Sequence, residues 1–402
     1  MSKVRCLIFL FCLLLILACK NRSNNTVRVL MDDVADSILV FSFDDEALFD
    51  TLSEDNIIES IKYIPLSSER EAIMPERLII RKFSKDFLAI EFSGSAKRSK
   101  IFDFNGNYIK DAFHIGRGPN ELTNLMTFTA NEKSNKAYFL SFDKILSLNM
   151  NDYSMFTRTI PNSLENTETF DWCALNNGDL VTKTTFPVKD FETNKYPFLF
   201  VYDSCFNKVR EHYYSHSRDL YQNLISGVTP SPCEAGKIAS SPNGGTFIDM
   251  YSDTIYSILD GGELKPAYII SRGDKYMPTI EEVNYPAEKK GKKIYYRYIV
   301  ENDQYVILHY GYDNKCFVNI WNKQNGKLLC HQEVRTLLYY PIDFSIGGYH
   351  GELFVDYITS DNCIYVAIPA RDLMEEIPSL KPDDNPVIVE IKLKDNYNPI
   401  KQ

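Results

Sequence analysis

Six times along the chain, two short β-rich runs meet across a turn built from Asn, Asp or Gly. The pairs read IFDFNGNYIKDAF from 101, LSLNMNDYSMFTRTI from 146, FLFVYDSCFNKVREHYY from 198, IYSILDGGELKPAYII from 255, FVNIWNKQNGKLLCHQEV from 317 and VIVEIKLKDNYNPI from 387. Asn–Gly supplies positive φ angles, so Asn105–Gly106–Asn107 predicts a tight primed hairpin turn. Upstream of the pairs lie further runs suited to inner strands, such as KAYFLSF at 136–142 and QYVILHYGY at 304–312. Residues 77–113 hold four such runs in succession, which is one antiparallel meander. Alike units following one another at intervals of about 45–70 residues mark a repeat architecture.

The fold expected is therefore all-β: a six-bladed β-propeller of four-stranded antiparallel blades. Radial closure leaves only short, protected sheet edges, whereas a pair of β-sandwiches needs no such repeat. The sixth unit lacks an outer strand, because only DNYNPIKQ follows VEIKLK. An orphan run, ESIKYIPLSS at 59–68, precedes the first unit and is expected to complete the last blade, closing the ring with an N-terminal strand. The chain divides into a signal segment (1–19), a tether and entry segment (20–50) and the propeller (51–402). Two insertions, at 278–294 and 369–382, read as short helices or long loops.

The 402 residues carry 26 Tyr and 25 Phe, types that favour half-buried pleated surfaces. A net charge of −10 argues against a nucleic-acid partner, which calls for a basic patch or stripe.

At the N-terminus, Lys3 and Arg5 precede an apolar run from Cys6 to Ala18. A basic segment followed by so short an apolar run has the anatomy of a secretory signal and falls short of a membrane span. The run ends Leu17–Ala18–Cys19, which resembles a bacterial lipobox. That resemblance implies diacylation of Cys19, which would become the new N-terminus of a lipid-anchored lipoprotein. The KNRSNNT that follows contains no acidic residue, and this favours a periplasm-facing location in the cell envelope.

Six cysteines then remain in the mature chain: Cys173, Cys205, Cys233, Cys316, Cys330 and Cys363. An oxidising compartment permits up to three disulfides among them. Cys316 and Cys330 are placed to face each other across a hairpin, and isolated buried thiols are the alternative. No Cys-x-x-Cys pair occurs.

The segments IKYIPLSSE and SKIFDFNGNYIKDAFHIGRGPNEL, with Phe128 following, are similar to those of the lipid-anchored six-bladed β-propeller proteins of Bacteroides-type bacteria. Gly116, Gly118, Pro119 and Glu121 match a G-x-G-P-x-E pattern there, while Leu122 replaces the usual aromatic. The resemblance covers about 70 residues closely. It implies a fold and a location and no particular chemistry.

HIGRGPNEL at 114–122 joins an outer strand to the next inner strand, on the channel-mouth face. His114, Arg117 and Glu121 are the ligand-face candidates. The structural alternative is a sharp turn whose glycines take backbone angles other residues resist, with an Arg117–Glu121 ion pair. A phosphate cradle does not fit, since no helix follows. His212 and His216 have metal-ligand spacing only on a helix, and the run reads as a strand. No catalytic, metal or cofactor motif is present. Expected is a binding or interaction module for a glycan, peptide or protein partner, and the alternative is a hydrolase or lactonase-like propeller acting at the channel mouth.

Overall fold

Within most meanders, burial falls from the inner strands to the outer one, as expected where blades cover one another's faces. In the first blade, Leu78–Lys82 and Asp86–Glu91 are buried almost throughout, while Tyr108–Asp111 is half-exposed. Strands covered on both faces need near-continuous apolar sequence, which LIIRK and DFLAIE supply. The computed structural model describes residues 38–91, 98–141, 143–159, 171–183, 197–213, 236–249, 252–275, 293–335 and 341–395.

The protein is an all-β propeller of antiparallel blades. Four-stranded sheets cover Leu78–Asp111, Thr127–Thr159, Trp172–Tyr213 and Tyr295–Val334 as the first, second, third and fifth blades. The fourth blade, Gly236–Ser271, gains Leu39–Ser42 as a parallel fifth strand. The remaining sheets have three strands each: Pro341–Ile346 and Tyr349–Phe354 with Leu52–Ser53, and Cys363–Ile368 and Val387–Leu393 with Ile58–Pro65. That makes seven blades and corrects the expected six. The missed sheet is held by its own hairpin, in which Ile346 pairs with Tyr349 across Gly347–Gly348. A two-residue Gly–Gly loop is a hairpin signal in its own right. After Phe354 the chain leaves the ladder, so Cys363–Ile368 pairs onward with Val387–Leu393 instead.

Ile58–Pro65 lies antiparallel against Val387–Leu393, at the place expected for the run at 59–68, and joins the two ends of the chain. Apolar clusters continue around the ring. Ile79 and Leu88 pack with Ala137 and Phe139 between the first two blades. Leu140 and Ile145 meet Trp172 and Phe200. Val181 and Leu199 meet Ile238 and Phe247, and Ile248 and Ile270 meet Ile299 and Trp321. One cluster spans Ile307, Phe344 and Val389, and another sets Ile388 and Tyr365 against Phe87 and Phe102. Before the closing strand, the N-terminal segment straps three blades in turn, through Leu39–Ser42, a bridge from Phe49 to Cys330, and Leu52–Ser53.

The Asn105–Gly106–Asn107 turn departs from the primed type, because only Gly106 has positive φ (82°) there. The Asp103 carboxylate closes it, accepting from the N–H groups of Asn105 (2.8 Å) and Asn107 (2.9 Å). Asp203 repeats the device on Cys205 and Asn207, with Phe206 at φ 60°. Gly106 is further required by space, since a Cβ there would lie 2.1 Å from the Pro65 carbonyl oxygen at the closing strand. The cysteine pair also departs from expectation. The register sets Cys316 opposite Val334 and Cys330 opposite Ile320, so the two thiols do not face each other. Cys173, Cys205, Cys330 and Cys363 are free thiols, and Cys233 lies outside the described residues. The insertion at 369–382 holds a short 3-10 turn, Ala370–Leu373, and the one at 278–294 lies almost wholly outside the described residues.

Candidate functional site

The innermost strands converge on one cavity of about 170 Å³ on the propeller axis. Leu78–Lys82 contributes Ile79 and Arg81, Thr127–Asn131 contributes Phe128 and Thr129, and Trp172–Ala174 contributes Trp172. Ile238, Ala239 and Ser240 come from the fourth blade, Tyr298 from the fifth, and Phe354 and Asp356 from the segment leaving the Gly–Gly hairpin. Alternation along each inner strand is what turns one set of side chains to the axis and the other into the blade.

Arg81 and Asp356 form a bidentate ion pair in the wall, with Nη1–Oδ1 and Nη2–Oδ2 both 2.7 Å. Their side chains are only 8% and 10% exposed. Arg81 also donates to the Ile80 carbonyl at 3.3 Å and lies 5.3 Å from the Phe128 ring and 4.9 Å from the Tyr357 ring. Aromatic faces and a carboxylate together hold this buried guanidinium. Tyr298 donates to the Asp356 carbonyl at 3.1 Å, fixing the backbone that carries the carboxylate. Across the cavity, Thr129 and Ser240 share a hydroxyl–hydroxyl bond of 3.1 Å, and Thr129 also accepts from Ala174 N. Trp172 is 5% exposed, and its indole N–H finds no acceptor among the described residues.

At the exit end of the inner strands stands a charged cluster. Burial pushes the Glu132 carboxyl up to about 7, and the neighbouring Asp361 adds to the rise, against Arg81 and Lys82. Tyr357 donates to Glu132, and one Glu132 oxygen is otherwise without a partner. Lys82 pairs with Asp361 at 3.5 Å. Protonation of Glu132 brings this cluster to charge balance: Asp356 and Asp361 against Arg81 and Lys82. Asparagines staple the blades around it. Asn131 donates to Ala174 O and Asn176, and Asn302 donates to Thr359 O and Asn362. Among the described residues, no group of three or more His, Cys, Asp or Glu stands where it would hold a metal ion.

On the face where inner strands begin, a second cavity of about 320 Å³ is walled by Leu78, Pro341, Tyr349, Glu352 and Arg371. Phe354 lines both cavities. The HIGRGPNEL loop lies on this same face but stands apart from both cavities. His114–Ile115 pairs in parallel with Glu121–Leu122. His114 and Arg117 are exposed, with the His114 ring 3.6 Å from Asp111. Glu121 turns inward instead of pairing with Arg117, and its carboxylate accepts from Gly118 N at 2.7 Å. Gly116 and Gly118 leave room for Glu121 and do not take left-handed backbone angles: a Cβ at Gly116 would fall 2.0 Å from Glu121 Oε2, so that side chain would have to move. His212 bonds the Gly262 carbonyl at 2.6 Å, whereas His216 and Cys19 lie outside the described residues. Sequence reasoning missed Arg81, Asp356, Glu132 and Trp172. The signals were charges inside strand-like runs, in LIIRK and ELFVDYI, where burial requires a partner.

This arrangement defines a β-propeller with a polar–aromatic axial chamber. The chain belongs to the family described as domain of unknown function DUF4934, whose model matches residues 40–392. A Bacteroides fragilis protein described as exported has a solved structure similar to this one, at 16% identity and TM-score 0.61, covering 88% of this chain and 99% of its own. A member of the DUF4221 family from Bacteroides vulgatus aligns over 84% of this chain and 98% of its own, at 12% identity and TM-score 0.46. The first likeness shows the fold. The comparison with curated proteins returns no match.

Proposed function

We propose that this protein is a lipid-anchored β-propeller of the cell envelope, held to a membrane through Cys19 and facing the periplasm. It acts there as a binding module for a glycan, peptide or protein partner. The observation that carries the binding reading is the axial chamber, which joins aromatic walls to a few fixed polar groups, the usual build of a ligand site. His114 and Arg117, exposed on the face that holds the outer cavity, are contact candidates for a larger partner. The exported relative from Bacteroides fragilis supports the envelope location.

A thermal-shift screen of the full-length chain in detergent, against glycans, peptides and divalent metals, tests this reading. A ligand at ten times its dissociation constant stabilises the folded state by about 1.4 kcal/mol. A shift with a glycan or peptide, lost when chamber residues are changed, is expected. If nothing shifts the unfolding transition and crosslinking in native membranes captures no partner, the binding reading fails. One observation favours a second reading, a hydrolase or lactonase-like enzyme: Glu132, titrating near neutrality beside Tyr357, has the pKa of a general acid–base. Turnover of sugar lactones or esters that disappears in Glu132→Gln would decide for it.

A further inference from the structure

We infer that the axial chamber is built to hold one neutral pyranose ring, the end residue or a single unit of a saccharide. This rests on the binding reading above and gives its ligand a chemical class. Size comes first. The chamber is about 170 Å³, and apolar cavities of about 150 Å³ hold one six-membered ring. A chamber of this size takes one ring at a time.

Charge comes next. Arg81 and Asp356 neutralise each other in a bidentate pair, so a charged ligand would bring an uncompensated charge into a buried site. The ligand is therefore neutral. The pair still has hydrogen-bonding capacity on its free edges. Three Arg81 contacts are accounted for, to Ile80 O and the two Asp356 oxygens, of the five N–H donors that a guanidinium carries. Each Asp356 oxygen keeps a lone pair beyond the one given to Arg81.

Polar groups also come from more than one side of the chamber. The Arg81–Asp356 edge offers donors beside acceptors, Thr129 and Ser240 present hydroxyls, and Trp172 has an indole N–H without an acceptor among the described residues. A flat aromatic ligand carries polar atoms at few points of its rim. A pyranose carries hydroxyls around most of its rim, each both donor and acceptor, and so matches a mixed set. Its C–H faces pack on aromatic rings, and Phe128, Trp172, Tyr298 and Phe354 supply these.

The test uses the two tryptophans of the chain. Trp172 lines the chamber, and Trp321 is fully buried between the fourth and fifth blades. Full-length protein in detergent is titrated with methyl glucoside, methyl galactoside, methyl mannoside and N-acetylglucosamine, with glucuronate and glucosamine as charged counterparts. Tryptophan fluorescence and saturation-transfer NMR are read in parallel. Expected is a saturable response to at least one neutral sugar, with the charged counterparts weaker by about tenfold. Trp172→Phe removes the optical signal, and Ser240→Ala, a mild change, weakens binding by NMR while thermal unfolding stays near that of the parent. The inference is overturned if no neutral sugar saturates either signal by about 50 mM. It is also overturned if glucuronate or glucosamine binds best, or if both variants bind as the parent does. A chain that ignores every sugar but is stabilised by a peptide or crosslinks to a protein would sink this inference and leave the binding reading standing.

Discussion

Asp356→Asn is the substitution that tests the chamber most directly. It keeps the size of the side chain and removes its charge, leaving Arg81 beside Phe128 and Tyr357 with no counter-ion in contact. Both partners are about nine-tenths buried, so water cannot replace what is lost. Arg81 cannot shed its proton within the ordinary pH range. Removing one member of a buried pair costs about 3–5 kcal/mol. The Ile80 carbonyl and the aromatic faces offset part of this, which places the expected loss near 3 kcal/mol. Equilibrium unfolding in urea, which adds no ionic strength, reads the change. Salt between about 0.05 and 1 M should alter it little, because buried pairs are poorly screened. The double variant Arg81→Met/Asp356→Leu is expected to lie within about 1 kcal/mol of the parent, since apolar groups of similar volume leave no buried charge. A loss under about 1 kcal/mol in Asp356→Asn, or a double variant as unstable as the single one, would refute the reasoning.

Glu132 sets a pH dependence. Its folded-state pKa of about 7 lies above the ordinary 4.5, so the stabilising effect of its proton is complete below pH 4.5 and lost as pH rises through 7. The loss is roughly 3 kcal/mol. Glu132→Gln should flatten the stability–pH curve across this window and unfold at higher denaturant than the parent at pH 8; parallel curves would contradict this. Asn385 donates to Ser67 O (2.6 Å) and Ala72 O (3.0 Å) and accepts from Met74 N, pinning the chain just after the closing strand. Asn385→Ala should cost about 2–4 kcal/mol in urea unfolding, and a change within 0.5 kcal/mol, the ordinary range for surface positions, would show that the clamp does not matter. Cys19→Ser should move the protein from the membrane fraction to the soluble fraction, and retention in membranes would exclude the lipid anchor.

The all-β propeller, its antiparallel blades and the strand at its closure were legible in the sequence because each follows from local rules. Period-two patterning, Asn and Gly at turns, and near-continuous apolar runs such as DFLAIE act within a few residues of chain. The blade number was not read correctly, although Gly347–Gly348 marked the missed hairpin. Turn-marked pairs were counted by similarity, and this hairpin is unlike the others. Cys316 and Cys330 failed for a related reason: the ladder sets them four positions apart along the hairpin, opposite Val334 and Ile320, and register is decided by the whole ladder. The HIGRGPNEL loop was located correctly between blades, while the work of its glycines was not, because the room they make is filled by Glu121.

The chamber belongs wholly to tertiary structure. Arg81 and Asp356 are separated by 275 positions, and Thr129 and Ser240 by 111. No local pattern couples residues so distant. What brings them together is ring closure, which turns the inner edge of every blade to one axis. By itself the sequence determined strands, turns and the need of each buried charge for a partner. Only the closed ring decided which partner each charge met, because that depends on how many blades share the axis and on the register within each.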